Sequence, residues 1–173
     1  MSKANPPRIR SVLLDTSFLI TLLDETRPNH DTAVSYLDCW IASGITLFVS
    51  TIVVAEYHVR EPIPEEVMRH LRVVPFNLDH AVLTASLVAT WRSARNGSAT
   101  PQTSGPRDAV KDDCKLFAQA HIAESGLLAA DDMGMESLVS LLRSQGHSLG
   151  FNILPLWEPF NEMMAQNGQN GLF

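Results

Sequence analysis

Four acidic residues lie in or directly after apolar segments, where a carboxylate has few structural reasons to be. Asp15 and Asp131 end the apolar runs SVLL and LLAA, while Glu56 and Asp113 lie within segments of helical character. An unpaired carboxylate is costly to bury, so these four acids are candidates for a shared site. Carboxylates that meet repel one another, and a divalent cation removes that cost.

The ligand types predict a hard metal ion. Carboxylate oxygens with no histidine or cysteine nearby in sequence select Mg²⁺ first and Mn²⁺ second, rather than Zn²⁺. The six histidines form no HxH or HExxH pattern, which argues against a histidine metal site. A water bound to such an ion is a nucleophile for phosphodiesters, so the predicted chemistry is metal-assisted hydrolysis.

The elements that must position these acids alternate between strands and helices. Apolar runs bounded by turn-forming residues suit strands buried in a parallel sheet. We predict strands at Ser11–Leu14, Ile45–Val49, Val73–Phe76, Leu127–Ala130 and Asn152–Leu156. Helices between them give a three-layer α/β/α sandwich with a central parallel sheet of four to five strands. Because the carboxyl ends of parallel strands share one edge, the four acids are expected to meet there.

Two of the acids have an acidic neighbour, so the site residue must be chosen within each pair. Asp112 and Asp113 point about 100° apart on a helix, and the apolar residues that follow favour Asp113 at the site. Asp112 is then a solvated or capping acid, or a supporting one. Asp131 fits the strand end, and Asp132 is kept as a secondary candidate.

Other polar residues near the acids have both a structural and a functional interpretation. Asp15 and Ser17 can each cap the helix predicted at Phe18–Leu23, and Ser17 can also support the site. Asn29 or Asp31 can cap the helix that follows. The sequence leaves these alternatives open.

Basic residues flank the third acid and a loop of small and polar residues. They form either a solvated face or phosphate contacts beside the metal, and they are Lys111, Lys115, Arg92, Arg95 and Arg107. The formal net charge of −6 argues against a nucleic-acid partner, but two divalent ions would bring it to about −2. Net charge therefore does not decide the partner.

Length and composition indicate one globular domain. The 173 residues are 45% hydrophobic and 18% charged, and no apolar run approaches the roughly 18 residues of a membrane span. We predict a flexible arm at 1–10, one domain at 11–156 with a mobile loop at 96–106, and a tail at 157–173. No signal peptide is recognisable, so a cytoplasmic location is expected. The two cysteines form no CxxC pattern and are expected to be reduced thiols.

Four segments of the chain carry a family resemblance. LLDTSFLI, STIVVAEY, VKDDCKLFAQA and LLAADDMGM, in this order, resemble the four signature blocks of PIN-domain nucleases, including VapC-type toxins. The resemblance runs from about residue 11 to 156 and implies a PIN-like fold and an endoribonuclease that uses Mg²⁺ or Mn²⁺. It places the family's four acids on Asp15, Glu56, Asp113 and Asp131. It also places a small polar position near the metal waters on Ser17, and the chain departs from the pattern at Ala129, where the family carries threonine.

The resemblance leaves the biological role open. RNA is the implied substrate, and the chain is either the toxin of a toxin–antitoxin pair, with a small antitoxin as partner, or a solitary or RNA-processing nuclease. The alternative from a different class is a PIN-fold binding module for nucleic acid or protein, with weak or no catalysis. The resemblance also implies a homodimer, and no membrane association is expected.

Overall fold

A computed structural model describes residues 9–97 and 107–167, and a sheet of five parallel strands lies at its centre. The strands are β1 (Ser11–Leu14), β2 (Thr46–Ser50), β3 (Leu71–Val74), β4 (Leu127–Ala130) and β5 (Asn152–Pro155). They lie in the order β3, β2, β1, β4, β5, so β1 is the central strand and pairs with β2 and β4. The predicted parallel sheet is therefore confirmed.

Helices cover both faces of this sheet. They are α1 (Thr16–Leu23), α2 (His30–Ala42), α3 (Thr51–His58), α4 (Glu65–Met68), α5 (Leu78–Gly97), α6 (Arg107–Ile122), α7 (Met133–Ser144) and α8 (Glu162–Asn167). The helix α1 packs against α2 and α3, and α2 packs against α8, whereas α5 packs against α6 and α7. These two groups form the outer layers, which confirms the α/β/α sandwich.

The chain adds strands first on one side of β1 and then on the other side. From β1 it proceeds outward to β2 and β3, and it then returns to β4 on the other side of β1 and continues to β5. With right-handed connections, the helices after β1 and β4 lie on opposite faces of the sheet. A crevice at such a switch point is where open α/β sheets place their sites.

The two strands at the switch point are buried along their whole length. Every residue of β1 and of β4 is buried, as expected for parallel strands covered on both faces. The backbone N–H of Asp15 donates to Ala129 at 3.0 Å and extends the ladder one residue beyond β1. Asp15 is therefore fixed to β4 by its main chain.

The structure changes some predicted boundaries. We predicted a strand at Val73–Phe76, but β3 ends at Val74. It ends there because Pro75 has no N–H to donate to a strand ladder. Most of the predicted arm and of the predicted loop, residues 1–8 and 98–106, lie outside the described residues. No helix in the described part of the chain combines the length and the apolar character that crossing a bilayer requires.

Candidate active site

Asp15 follows β1 and caps the amino end of α1. Its carboxylate accepts the backbone N–H of Ser17 at 3.0 Å and also accepts the hydroxyl of Ser17. Asp15 is 6% exposed, and burial raises its pKa despite these hydrogen bonds, while the charge of Glu56 adds to the increase. The capping interpretation is correct, and the position at the switch point keeps Asp15 a site candidate.

Glu56 lies in α3, which begins where β2 ends. Ser50 caps this helix by accepting the N–H of Ile52 at 3.0 Å. Glu56 is exposed, and its carboxylate accepts the hydroxyl of Thr16, the first residue of α1. This contact holds Glu56 beside the residue that follows Asp15.

The pKa of Asp113 responds to the charges of the other acids. The pKa of Asp113 in α6 is raised from the ordinary value of 3.8 to about 7, and burial is the largest cause. The negative charges of Asp132, Asp15, Asp112 and Glu56 contribute the rest, in that order. The charges of one acid after β1, one in α3, one more in α6 and one in the turn before α7 thus affect the pKa of Asp113, whereas Asp131, the fourth acid predicted at the site, is not among the main causes.

The fourth acidic position is arranged differently from the other three. Asp131 follows β4, and its backbone N–H donates to the Ser17 hydroxyl at 2.8 Å. Its carboxylate accepts hydrogen bonds from Thr21 and from Asn29, each at 2.9 Å. Asp132 caps α7 by accepting the N–H of Gly134 at 2.7 Å, and its charge acts on Asp113. A ligand role stays a prediction for Asp131 and for Asp132.

Two of the predicted basic residues have a defined partner in the structure. Lys115 forms an ion pair with Asp112 at 2.6 Å, and Lys111 lies one turn before it in α6. Arg95 lies over the ring of Trp91, 5.6 Å from the ring centroid to the guanidinium carbon.

Arg92 and Arg95 lie far along α5. Thr90 contacts His147 at 2.8 Å, in the segment that leads into β5 at the opposite edge of the sheet. A role of Arg92 and Arg95 in phosphate contacts stays a prediction. The backbone of Arg107 begins α6, but its side chain lies outside the described residues.

The acids fit a hard divalent cation in donor chemistry and in charge. Their donors are carboxylate oxygens, and the charges that raise the pKa of Asp113 are all negative. Among residues 9–97 and 107–167, no three carboxylate, imidazole or thiol groups stand close enough together to surround one ion. Coordination by several of these acids would therefore require their side chains to close on the ion.

Sequence reasoning missed three residues that hold these acids. Thr16 donates to Glu56, while Thr21 and Asn29 donate to Asp131. One signal was available, because Ser17 and Thr21 are four residues apart and share one face of α1, whose other residues after Thr16 are apolar. We assigned Asn29 only to helix capping, but its side chain makes no capping bond.

Comparisons with known proteins identify the fold. No protein-family model and no curated protein sequence matches the chain. Among solved structures, it is similar to VapBC2 from Rickettsia felis bound to a DNA fragment from their promoter, with 14% identity, a TM-score of 0.55, and coverage of 84% of this chain and 98% of that one. It also matches Mycobacterium tuberculosis VapC20, a sarcin–ricin loop cleaving toxin, with 16% identity, a TM-score of 0.46, and coverage of 73% and 93%. The chain therefore has the VapC-like PIN-domain fold that its four sequence blocks predict.

Proposed function

We propose that this chain is an endoribonuclease that depends on Mg²⁺ or Mn²⁺. The observation that carries the proposal is the group of acids at the switch point, within which the pKa of Asp113 is raised to about 7. Strongly shifted carboxylates in a crevice are typical of functional sites. The PIN-type fold supports the proposal, because Asp15 directly follows the central strand, at the switch point of the sheet.

Each acid has a role that follows from its surroundings. Asp15 and Asp113, the more buried carboxylates, would hold the ion. Glu56 is exposed and held by Thr16, so it is suited to orient the attacking water and take its proton. A bound Mg²⁺ or Mn²⁺ supplies an activated water and stabilises charge on the phosphate oxygens.

Single amide substitutions test the proposal. RNA cleavage is measured in Mn²⁺ and in chelator for the wild type, Asp15→Asn and Asp113→Asn, with Asp38→Asn on the exposed face of α2 as the matched control. We expect no cleavage in chelator, a loss of at least about 100-fold in both site variants, and wild-type activity in the control. Unchanged activity of either site variant would remove that residue from the mechanism.

A binding module without catalysis is the second candidate function. Ala129 stands where the family carries threonine, and no compact three-acid group is formed in the described part of the chain. Calorimetric titration with Mn²⁺ separates the two functions. A nuclease should bind the ion at millimolar or lower concentration, whereas a retired site should give no binding heat.

We also propose that the chain works as the toxin of a toxin–antitoxin pair. The similarity of its fold to VapBC2 supports this partner class. Expression of the chain alone should arrest growth, and co-expression of a neighbouring gene's product should restore it. Light scattering tests the homodimer that the resemblance implies.

A further inference from the structure

We propose that Asp131 is a positioning residue and that its neighbour Asp132 supplies the fourth carboxylate of the candidate active site. This inference rests on the proposed function, because it concerns which acids face the metal ion. It departs from the family resemblance, which places the fourth acid on Asp131.

Both carboxylate oxygens of Asp131 are held by side chains of the outer helical layer. Thr21 Oγ1 donates to Oδ2 and Asn29 Nδ2 donates to Oδ1, each at 2.9 Å. Thr21 is only 1% exposed, so its hydroxyl would lose a buried partner if the carboxylate turned toward an ion. Turning the Asp131 carboxylate toward an ion would therefore break two side-chain hydrogen bonds.

The side chain of Asn29 binds Asp131 and does not cap its own helix, α2. It occupies the capping position of α2, where asparagine normally accepts a backbone N–H. Its side chain makes no such bond, and its amide donates to Asp131, 102 positions away. The local cap is replaced by a link between α2 and the end of β4.

The contacts also fix the direction of the Asp131 side chain. Thr21 lies six residues after Asp15, or about 9 Å farther along α1 at 1.5 Å per residue. The carboxylate of Asp131 is thus turned along α1, away from the end of β1. Its backbone N–H stays at the Ser17 hydroxyl, so the turn that follows β4 is anchored at two points.

Asp132 is the next residue of this anchored turn. It is exposed, and its Oδ1 accepts the N–H of Gly134 at the start of α7. Of the charged groups around Asp113, Asp132 has the largest effect on the Asp113 pKa, and Asp131 is not among the main causes. The electrostatic surroundings of Asp113 thus agree with the hydrogen bonds of Asp131.

Four variants of the full chain distinguish a positioning residue from a ligand: Asp132→Asn, Asp131→Asn, Asp131→Ala and Thr21→Val. Mn²⁺ affinity is measured by calorimetry, and the unfolding midpoint is measured without metal.

Asp131→Asn keeps a side chain that can pair with Thr21 and Asn29, so we expect Mn²⁺ affinity within about 3-fold of wild type. Asp132→Asn should weaken affinity by about 10-fold or more. Asp131→Ala and Thr21→Val should lower the midpoint by about 4–8 °C, while Asp132→Asn should lower it less.

Two results would overturn the inference. One is a loss of Mn²⁺ affinity in Asp131→Asn as large as that in Asp132→Asn, which would make Asp131 a ligand. The other is a wild-type midpoint in both Asp131→Ala and Thr21→Val, which would show that the contact positions nothing. If the wild type binds no Mn²⁺, the proposed function and the ligand role of Asp132 fail together, while the midpoints still decide the role of Asp131.

Discussion

The hydroxyl of Ser17 accepts the backbone N–H of Asp131 at 2.8 Å, although 114 positions separate the two residues. The same hydroxyl donates to the carboxylate of Asp15. One side chain therefore joins the ends of β1 and β4, the strands on either side of the switch point. The supporting role considered for Ser17 is thus a structural link between two acidic positions.

Replacing Ser17 by alanine should loosen this link. The change leaves the N–H of Asp131 without its partner and removes one donor from Asp15, so we expect the free energy of unfolding to fall by about 1–3 kcal/mol. Urea denaturation measures the loss. Ser35→Ala is the matched control, because the Ser35 hydroxyl bonds within α2. Equal stability of the two variants would show that the link contributes nothing.

The raised pKa of Asp113 predicts how stability without metal depends on pH. The folded state holds a proton on Asp113 up to about pH 7, whereas an unfolded aspartate releases it near 3.8. The folded state thus binds more protons between these values, and the contribution of Asp113 to the free energy of unfolding falls as pH rises through that range. Thermal unfolding of wild type and Asp113→Asn, measured from pH 4 to 8 in chelator, isolates this contribution.

The difference between the two proteins is the quantity that decides this prediction. The wild type should lose stability relative to Asp113→Asn as pH rises and should reach a constant difference above about pH 7. A difference that does not change with pH would show that Asp113 titrates near the usual aspartate value.

Mn²⁺ binding should have the opposite dependence on pH. Metal coordination needs the charged carboxylate, so a proton on Asp113 competes with the ion. We expect Mn²⁺ affinity to rise from pH 5.5 to 7.5 and then to level off. The same titration with Asp112→Asn is the control, since Asp112 is paired with Lys115 and should have a smaller effect. Affinity independent of pH would place the ion away from Asp113.

The elements that could be predicted are those whose apolar pattern lies within the element itself. The runs SVLL and LLAA are buried strands, and Asp15 lies at the switch point because it directly follows the first of them. Strand β3 was displaced by two residues because its extent depends on pairing with β2 and on Pro75. The five-strand sheet could therefore be predicted from apolar runs, but one boundary depended on a partner strand.

The details of the candidate site depend on contacts that no local pattern contains. Asn29 is indistinguishable from an ordinary helix cap until its amide is seen to donate to Asp131. Asp131 and Asp132 are adjacent acids, and the choice between them depends on where Thr21 and Asn29 lie. Sequence reasoning could therefore find the acidic positions but not the direction of each side chain.

Trp40 should be important for holding α8. It is fully buried, its ring lies 5.5 Å from Tyr36 and 5.7 Å from Phe18, and its indole N–H donates to Ala165 in α8 at 3.1 Å. Trp40→Phe removes this donor and leaves a void, so we expect a loss of about 1–3 kcal/mol in the free energy of unfolding. Hydrogen exchange should also increase in residues 162–167.

Trp157→Phe provides the comparison for Trp40, because Trp157 is only half-buried. It should have a smaller effect on stability and leave exchange in α8 unchanged. Unchanged exchange in Trp40→Phe would instead show that other contacts hold α8.

The two thiols should differ in reactivity in the native protein. Cys114 is fully buried next to Asp113, and burial together with the charge of Asp113 raises its pKa to about 12. Cys39 is partly exposed on α2. Because the thiolate is the reactive form, a disulfide reagent should modify Cys39 first and Cys114 only on unfolding. Cys39→Ser should therefore react slowly when native and with one equivalent in denaturant, and rapid native labelling of that variant would show that Cys114 is accessible.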